Sequence, residues 1–293
     1  MTAIDLVYNP VSGSFSQSHL ERLVEALEDE GFVVNPQPTQ VDGITLSGTA
    51  DLVCIHGGDG TLRDVVRALG QGAGDVPLCV APSGTINLVA RELDYPRKPK
   101  AFARKLAEAW SRGPENWVTA PLYRLGELPI VSCLSIGPDS HAVARVSGKL
   151  KKRIGRYAYV IAMMQQMREW PRQPMAVRGT TADGTTFEDE AEAVIVSNAA
   201  LYAGPFRLSP EAALKADSIE LITVGESTRL RIMALSLAAM LGLPVERFAK
   251  AKVRSCKRVE FDRCVTPVQV DGDHMPDCAY AIAPSGLSLR YVV

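Results

Sequence analysis

The sequence predicts an α/β domain with a parallel sheet, followed by an all-β domain that is either a sandwich or barrel-like. The first ninety residues alternate apolar strand-like runs with amphipathic helical stretches, whereas most runs after Trp117 are short and β-like. The length of 293 residues also favours two domains, at roughly 150 residues per domain. We place the first domain at residues 1–120 and the second at residues 121–293, and the last strand could return to the first domain.

The first domain is interpreted as strands and helices that alternate, with turn-forming residues between them. Strands are predicted at Ala3–Tyr8, Leu52–His56 and Pro77–Ala81, and helices at Ser18–Glu30, Leu62–Leu69 and Lys100–Arg112. This alternation is typical of a parallel sheet covered by helices. Because ligands bind outside the carboxyl ends of such strands, the polar turns that follow the three strands are expected to face one crevice.

The second domain is interpreted as a series of short strands separated mostly by Gly, Pro or acidic turns. The predicted strands are the runs that start at Val131, Met175, Glu192, Ile219, Arg258, Val268, Tyr280 and Leu287. Helices are predicted at Ile154–Trp170 and Thr228–Leu241. The longest apolar run, Ile232–Pro244, is shorter than the ~20 residues that cross a bilayer, and we interpret it as a buried helix.

Composition excludes several classes of protein. Hydrophobic residues make up 46% and charged residues 22%, which excludes a disordered chain, a coiled coil and a collagen. A net charge of −1 gives no sign of a protein that binds nucleic acid over its whole surface. The 6 cysteines contain no CxxC pair, which favours reduced core thiols. Because no secretory signal is visible at the amino terminus, we expect a cytoplasmic protein.

The small net charge hides two regions of opposite sign. Residues 1–90 carry 3 basic and 11 acidic side chains, a net charge of −8, whereas residues 141–180 carry 9 basic and 1 acidic, a net charge of +8. Within the second region, five cations lie close together: Lys149, Lys151, Lys152, Arg153 and Arg156. Anionic lipid headgroups attract such clusters at roughly 1 kcal/mol per residue. A solvated helix face is the alternative interpretation of this segment.

The turn after the second predicted strand has the composition of a phosphate-binding loop. It reads His56-Gly57-Gly58-Asp59-Gly60-Thr61 and opens a helix. Glycines allow backbone N–H groups to approach an anion closely, and the helix amino terminus adds partial positive charge. A carboxylate in such a loop needs a cation or a hydroxyl partner, and Mg²⁺ held by Asp59 directly or through water would supply the cation.

Two further turns have a related design. Pro82-Ser83-Gly84-Thr85-Ile86-Asn87 offers two hydroxyls and an amide to a nucleotide, although an ordinary helix cap also explains Ser83 or Thr85. Asn9-Pro10-Val11-Ser12-Gly13-Ser14 follows the first strand, and a simple turn is its alternative interpretation. Together the three turns favour a nucleoside triphosphate site. Neither the Walker A motif nor the GxGxxG dinucleotide motif is present in these turns.

These residues resemble a known family. NPVSG at 9–13, GGDGT at 57–61 and PSGTINLVAREL at 82–93 resemble the three nucleotide-site motifs of the diacylglycerol kinase catalytic-domain family, which includes bacterial soluble lipid kinases and sphingosine kinases. The similarity continues through SIGPDSHAV at 135–143, KKRIGRYAYVIA at 151–162, SNAALYAGPFRLSPEA at 197–212 and VQVDGDHMP at 268–276. NAD kinases share GGDGT, so the distinction depends on the other motifs.

The resemblance implies an NAD-kinase-like α/β domain followed by a β-sandwich, with ATP and Mg²⁺ bound in the cleft. It implies nucleotide contacts from Asn9, Ser12, Gly13, Gly57, Gly58, Gly60, Thr61, Ser83, Gly84, Thr85 and Asn87. Asp271 stands where the family has its proposed general base, and Asp273 stands for the family's Glu. Asp59 and Asp139 would belong to the acidic network around the catalytic Mg²⁺. From the residues alone, a common acidic hairpin turn is the preferred interpretation of Asp271-Gly272-Asp273, and the resemblance reverses this preference.

The chain also departs from the family pattern. Leu88 follows Asn87 where many members have Asp, so one carboxylate of the acidic network is missing. Many members also carry a basic residue just after NPxSG, whereas the first one here is Arg22. Phosphate charge would then be met by backbone N–H groups, by Mg²⁺ or by an Arg from elsewhere, with Arg63 as one candidate, and Arg91 would belong to a variant site. Lys215 and Ala216 replace acids of a loop that holds a structural Mg²⁺ in the family, and we expect that this metal does not bind.

The sequence therefore predicts an ATP- and Mg²⁺-dependent lipid kinase that phosphorylates a hydroxyl of diacylglycerol or a related lipid alcohol. We expect it to meet its lipid substrate at a membrane surface by peripheral association, with no transmembrane segment and no nucleic-acid partner, and a homodimer is left open. Two alternatives are an NAD kinase and a non-catalytic lipid- or nucleotide-binding protein of the same fold.

Overall fold

The computed structural model describes residues 1–12, 14–40, 43–145, 172–262, 267–276 and 279–293. The chain divides into two compact units. Unit 1 comprises Met1–Leu122 together with Gly286–Val293, and unit 2 comprises Tyr123–Ser285. Strand β15, Ala281–Tyr291, therefore begins in unit 2 and ends in unit 1. Strand β5, Val118–Leu125, crosses the other boundary.

Unit 1 alternates strands with helices. Its elements are β1 Ala3–Tyr8, α1 Gln17–Asp29, β2 Val33–Pro38, β3 Leu52–Gly57, α2 Asp59–Leu69, β4 Pro77–Pro82, α3 Leu88–Glu92 and α4 Pro99–Ser111. Short 3₁₀ turns occupy Gly70–Gly74 and Pro114–Asn116. Helix α1 shows how the pattern works: Ser16 accepts a hydrogen bond from the His19 N–H at its start, and Leu20, Leu23 and Leu27 lie on its buried face.

The sheet of unit 1 is parallel, as the sequence predicts. The strands lie in the order β2-β1-β3-β4-β15, and every described pairing among them is parallel. β1 and β3 align Tyr8 with His56, and β3 and β4 align Gly57 with Pro82. The carboxyl ends of β1, β3 and β4 therefore meet at one edge, which carries the three turns identified from the sequence.

Unit 2 consists mainly of strands. Its further elements are β6 Leu128–Ile130, β7 Cys133–Ile136, α5 Pro138–Arg145, β8 Met175–Thr181, β9 Thr186–Ala191, β10 Ala193–Ser197, β11 Ile219–Val224, α6 Arg229–Leu241, α7 Val245–Ala249, β12 Lys252–Phe261, β13 Val268–Val270 and β14 Asp273–Met275. The strands pair antiparallel in the order β14-β13-β7-β10-β11-β12-β8-β9. Inward-facing residues such as Ile136, Val196 and Val259 form a continuous core.

Several predicted elements differ in detail. The second helix begins at Asp59 rather than Leu62, so the Asp of the GGDGT turn lies in the first helical turn. The sequence interpretation of Ile232–Pro244 as a buried helix is wrong, because one face of this helix is exposed to solvent. Helix α6 buries Ile232 and Leu235, but Met233 is 55% exposed and Leu237 is 52% exposed. The predicted helix at 154–170 and the basic segment at 149–156 lie outside the described residues.

Candidate functional site

The turns after β3 and β4 are in direct hydrogen-bond contact. We call Gly57–Thr61 the β3–α2 turn and Pro82–Asn87 the β4–α3 turn. The carbonyl oxygen of Gly57 accepts hydrogen bonds from the N–H groups of Ser83 at 3.2 Å and Gly84 at 3.3 Å. The two turns predicted to face one crevice are thus joined through their backbones.

Glycine is required where these turns approach each other. A Cβ atom at Gly84 would lie 2.5 Å from Oδ1 of Asn87 and 2.8 Å from the Cα of Gly58, and one at Gly57 would lie 2.6 Å from Thr61. Distances this short cannot be relieved when the neighbour is backbone. A Cβ at Gly84 would meet the Gly58 backbone, so the two turns can approach each other this closely only because position 84 lacks a side chain.

Asn87 closes the β4–α3 turn. It adopts a left-handed conformation with φ of 56°, which Asn tolerates better than most residues. Its Nδ2 donates to the Gly84 carbonyl at 2.7 Å, and the side chain is buried. The Oδ1 atom is also buried and has no hydrogen-bond partner among the described residues. Such an orphaned acceptor fits a ligand that offers a donor, such as a ribose hydroxyl.

Asp59 holds the start of helix α3. Its two carboxylate oxygens accept hydrogen bonds from the N–H groups of Leu88 at 2.8 Å and Val89 at 3.0 Å. Leu88, which replaces the family's Asp, is itself buried. The negative charge of Asp59 is therefore met in part by backbone donors at a helix amino terminus. Among the residues that the structure describes, no cluster of three or more His, Cys, Asp or Glu side chains could hold a metal ion.

The turn after β1 is ordered by its own side chains. Oδ1 of Asn9 accepts from the Val11 N–H at 3.0 Å, and the Asn9 carbonyl accepts from the Ser12 N–H at 3.3 Å. Gly13, the remaining predicted contact of this turn, lies outside the described residues. Arg63 is buried, with its guanidinium 3.5 Å from Asp64, whereas Nε of Arg91 donates to the Ile86 carbonyl at 2.7 Å.

His19 and His56 form a pair beside this edge of the sheet, and no sequence motif predicts their contact. Nε2 of His19 lies 3.3 Å from the Arg97 carbonyl, so this nitrogen carries the proton. With this tautomer, Nδ1 of His19 accepts from Nε2 of His56 at 3.1 Å. Nδ1 of His56 is buried without a hydrogen-bond partner among the described residues. Burial, followed by the proximity of His19, lowers the pKa of His56 to about 4.

In unit 2, the Asp271 carboxylate anchors the turn between β6 and β7. Oδ1 accepts from the Ser132 N–H at 2.8 Å, the Ser132 hydroxyl at 2.7 Å and the Cys133 N–H at 3.1 Å. Oδ2 accepts from the Val131 N–H at 3.2 Å. Asp271 has a φ of 51°, a left-handed conformation at the β13–β14 turn. A buried side chain with this many partners is held in one orientation.

A chain of hydrogen bonds leads from this turn to Asp139. The Gly272 N–H donates to Oε1 of Gln269 at 2.7 Å, and Nε2 of Gln269 contacts the Ser135 hydroxyl at 3.2 Å. The Ser135 hydroxyl donates to Oδ2 of Asp139 at 2.7 Å, and the Tyr202 hydroxyl donates to the same oxygen at 2.5 Å. Burial, with Asp139 as the second cause, raises the pKa of Tyr202 well above its ordinary value.

The predicted site residues therefore form two groups, one in each unit. In unit 1, the β3–α2 and β4–α3 turns bring Gly57, Gly58, Asp59, Gly60, Thr61, Ser83, Gly84, Thr85 and Asn87 to one sheet edge, which also carries Asn9 and Ser12. In unit 2, one polar network contains Asp271 and Asp139, and Asp273 lies in β14 beside it. Sequence reasoning missed Ser132, Ser135, Gln269 and Tyr202, although the last three fall inside motifs that it quoted.

The loop at residues 213–220 corresponds to the family loop that holds a structural metal, and here one of its carboxylates contacts a lysine. Nζ of Lys257 lies 2.6 Å from Oδ2 of Asp217. Glu220 is buried and accepts from the Ser209 hydroxyl at 2.8 Å. An ammonium group thus already lies against one carboxylate of this loop.

Comparisons with known proteins identify relatives of this chain. Residues 4–113 match the family model of the diacylglycerol kinase catalytic domain, and residues 132–290 match that of the YegS C-terminal NAD kinase beta sandwich-like domain. A diacylglycerol kinase of Staphylococcus carnosus is 24% identical over 280 residues, which cover 92% of this chain and 88% of that protein. A diacylglycerol kinase of Bacillus subtilis is 24% identical over 248 residues, covering 81% and 78%.

A solved structure gives the same result for the fold. A diacylglycerol kinase from Bacillus anthracis superposes with a TM-score of 0.67 at 17% sequence identity, covering 99% of this chain and 96% of that chain. These matches favour a lipid kinase over both alternatives, the NAD kinase and the non-catalytic binding protein. The two family models together span most of the chain, so the chain belongs to the diacylglycerol kinase catalytic-domain family of phosphotransferases.

Proposed function

We propose that the chain uses ATP and Mg²⁺ to phosphorylate a hydroxyl of diacylglycerol or a related lipid alcohol. The observation that carries this proposal is the contact between the two glycine turns, where Ser83 and Gly84 donate to the Gly57 carbonyl. The contact lies at the amino terminus of α2, where backbone N–H groups and the helix dipole favour phosphate. Family membership supplies the reaction type.

In this proposal, the nucleotide binds along the edge formed by the three turns of unit 1. The backbones of Gly57, Gly58, Gly60 and Gly84 approach the phosphates, and the hydroxyls of Thr61, Ser83 and Thr85 donate to phosphate or sugar oxygens. The orphaned Oδ1 of Asn87 accepts from the ligand. Asn9 and Ser12 complete the edge, together with Gly13. Few basic side chains are needed, because oriented N–H groups neutralise phosphate charge in such loops.

The residues present fit a magnesium ion that arrives with the nucleotide. Asp59 would hold it through water molecules, since its oxygens already accept two backbone hydrogen bonds and Mg²⁺ keeps several waters when bound to protein. For two acids of unit 2 the proposal keeps the roles that the family resemblance implies: Asp139 belongs to the acidic group around the ion, and Asp273 is a nucleotide contact. When bound, the ion neutralises the charge of the phosphates during transfer.

Asp271 is the proposed general base. The lipid hydroxyl oxygen forms a bond to the γ-phosphorus as the bond from that phosphorus to the bridging oxygen breaks, ADP leaves, and the hydroxyl proton passes to the Asp271 carboxylate. Hydrogen bonds from Ser132 and Cys133 fix this carboxylate. A fixed base loses little entropy when the substrate arrives.

The proposed partner is a lipid substrate at a membrane surface, met by a cytoplasmic protein that associates peripherally. Within the described part of the chain, no helix has both the length and the apolar character needed to span a bilayer. Whether the protein works as a monomer or a homodimer can be measured by sedimentation velocity.

A kinase assay with labelled ATP on extracted total lipids tests the proposal. Wild-type protein is expected to label a lipid. Gly84→Ala should weaken ATP binding by at least about tenfold, since the added Cβ meets the Gly58 backbone. Gly72→Ala is the matched control, because a Cβ there has no neighbour within 4 Å. No labelling of any lipid by a protein that binds ATP, or normal ATP binding by the Gly84 variant, would contradict the proposal.

A further inference from the structure

Helix α6 carries an apolar face that is exposed to solvent in the described structure. Its exposed residues recur at spacings of three and four, so they form one stripe along the helix. They are Leu230 at 78% exposure, Met233 at 55%, Leu237 at 52%, and Met240 and Leu241 at 59% each. The opposite face, with Ile232 and Leu235, is buried. A helix that is apolar all round normally has both faces covered.

The stripe continues into α7 to form a larger surface. Leu243 is 39% exposed, and Phe248 of α7 is 49% exposed. We call these residues, with the exposed face of α6, the α6–α7 surface. Clusters of exposed Leu, Met and Phe are unusual on a soluble domain and mark interaction sites. Unbranched Met side chains also adapt to irregular partners.

Charge around the α6–α7 surface is positive and lies at its two ends. Arg229 and Arg231 stand at the start of α6, and Arg247 and Lys250 stand in and just after α7. Two acids accompany these four cations between residues 226 and 250. One of them, Glu226, is paired with Arg231 at 3.0 Å. The stretch from 232 to 245 contains no charged residue.

We propose that the α6–α7 surface docks on an anionic bilayer, with α6 lying in the plane of the interface. An apolar stripe with cations at its ends matches a membrane surface, where acyl chains accept Leu and Met while anionic headgroups meet Arg and Lys. A second copy of the chain fits less well. An isologous contact would bring two surfaces of the same positive sign together, and like charges oppose association.

The geometry of α6 suits this orientation. Its 13 residues extend for about 20 Å, at 1.5 Å per residue, which is too short to cross a bilayer but sufficient to lie along one. The exposed stripe then enters the boundary between headgroups and acyl chains, while the buried face keeps its packing within unit 2. This surface is distinct from the basic segment at 149–156.

Vesicle flotation without nucleotide tests the inference. The probe is a vesicle of phosphatidylglycerol and phosphatidylcholine. Met233→Ser/Leu237→Ser/Met240→Ser should lower the partition coefficient by at least about tenfold, because three apolar side chains no longer enter the interface. Val33→Ser is the matched control, since Val33 is 49% exposed on β2 of unit 1, and it should bind like wild type.

Two further measurements keep the test decisive. Arg247→Gln/Lys250→Gln should weaken binding to anionic vesicles and leave binding to neutral vesicles unchanged. In Leu237→Trp, the fluorescence of the new tryptophan should be quenched by brominated lipid, which adds to any quenching seen in wild type. This variant keeps an apolar side chain at position 237, so it still tests the inference if the triple variant does not fold. Wild-type flotation by the triple variant, or no added quenching, would overturn the inference. The inference would also be overturned if the wild-type protein formed a dimer that did not bind vesicles and the triple variant were a monomer.

The inference rests on the proposed function only in taking a lipid bilayer as the partner. The outcomes separate the two. If the protein binds vesicles through the α6–α7 surface but phosphorylates no lipid, the docking surface stands and the proposed function fails. If the triple variant phosphorylates a detergent-dispersed lipid at the wild-type rate but no longer floats with vesicles, the proposed function and the docking surface both stand. A lipid dispersed in detergent can be phosphorylated without docking on a bilayer.

Discussion

At the scale of single residues, Asp271 combines two features that together require Asp. Its backbone is left-handed, with φ of 51°, and its side chain accepts hydrogen bonds from three consecutive residues, Val131, Ser132 and Cys133. Asn is the other residue that tolerates this backbone conformation. Asn would, however, place an amide donor among groups that also donate. Asp271→Asn therefore keeps the shape and an Oδ1 acceptor for Ser132 and Cys133, replaces the Oδ2 acceptor that faces Val131 with a donor, and removes the basic group.

Asp271→Asn is expected to lower turnover by about 10² to 10⁴-fold, the usual contribution of a general base, with ATP affinity within a few-fold of wild type. Turnover at saturating ATP and lipid measures the first quantity, and equilibrium dialysis measures the second. Ser132→Ala is the matched control, because it removes one hydrogen bond to Oδ1 and leaves the carboxylate. A control variant as inactive as Asp271→Asn would make Asp271 a positioning residue instead of the base.

The side chain of His56 makes the stability of the folded protein depend on pH. Its pKa falls from 6.5 in a free side chain to about 4 in the folded protein, so the unfolded chain binds a proton more readily. The contribution of neutral, buried His56 to the free energy of unfolding is fully present above pH 6.5, and it is lost as the pH falls through about 4. Between pH 7.5 and 4.5 this loss is roughly 2 to 3 kcal/mol, at 1.36 kcal/mol per pKa unit.

Urea unfolding of His56→Gln at these two pH values is expected to show a smaller decline in stability than that of wild type. Gln keeps a donor for His19 but does not titrate. His274→Gln is the control, because His274 is exposed, and it should decline as wild type does. An unchanged decline in the His56 variant would show that another group carries the acid sensitivity.

At the scale of elements, the sequence predicted the strands that end in strong turn signals. β1, β3 and β4 were located to within one residue, because Asn-Pro, Gly-Gly and Pro-Ser-Gly turns follow apolar runs. β2 was missed because its sequence contains Pro36 and Pro38, which argue against a strand. Among the described strands it lies at the edge of the sheet and pairs with β1 alone, and an edge is where proline is tolerated.

Other features of the site could not be predicted because they depend on contacts between distant parts of the chain. Motifs identified Asp59, but not its role in holding α3 through Leu88, 29 residues away. Asp139 and Asp271 were identified separately, and the network through Gln269 and Ser135 depends on the pairing of β13 with β7. Helix α6 was judged by its apolar composition, which does not reveal which face the rest of the domain covers.

At the scale of the whole molecule, unit 1 is built from two stretches of chain that are far apart in sequence. Gly286–Val293 belongs to unit 1 although all of unit 2 precedes it. This segment is well integrated: Tyr291 and Val292 are fully buried, and the Tyr95 hydroxyl donates to the Val292 carbonyl at 2.6 Å. Removal of these residues would expose the edge of β4 and open a cavity in unit 1.

Deletion of residues 286–293 is expected to destabilise unit 1 by several kcal/mol, because the buried side chains of Leu289, Tyr291 and Val292 and the pairing of β15 with β4 are lost. Urea unfolding followed by the fluorescence of Trp110 and Trp117, both in unit 1, reports the loss. Tyr95→Phe is a milder control that removes only the hydrogen bond to Val292, which is worth about 1 kcal/mol. If the midpoint of the truncated protein matches that of wild type, β15 is not needed to complete the unit.

The return of β15 also sets the order of events during synthesis. β4 can pair with β3 as soon as both leave the ribosome, but its other edge stays open until the 203 residues between Pro82 and Gly286 have been made. Translation at 5–20 residues per second makes this wait roughly 10 to 40 seconds. An open strand edge can pair with another nascent chain during that time. The yield of folded protein should therefore depend on translation speed and on chaperones that shield nascent chains.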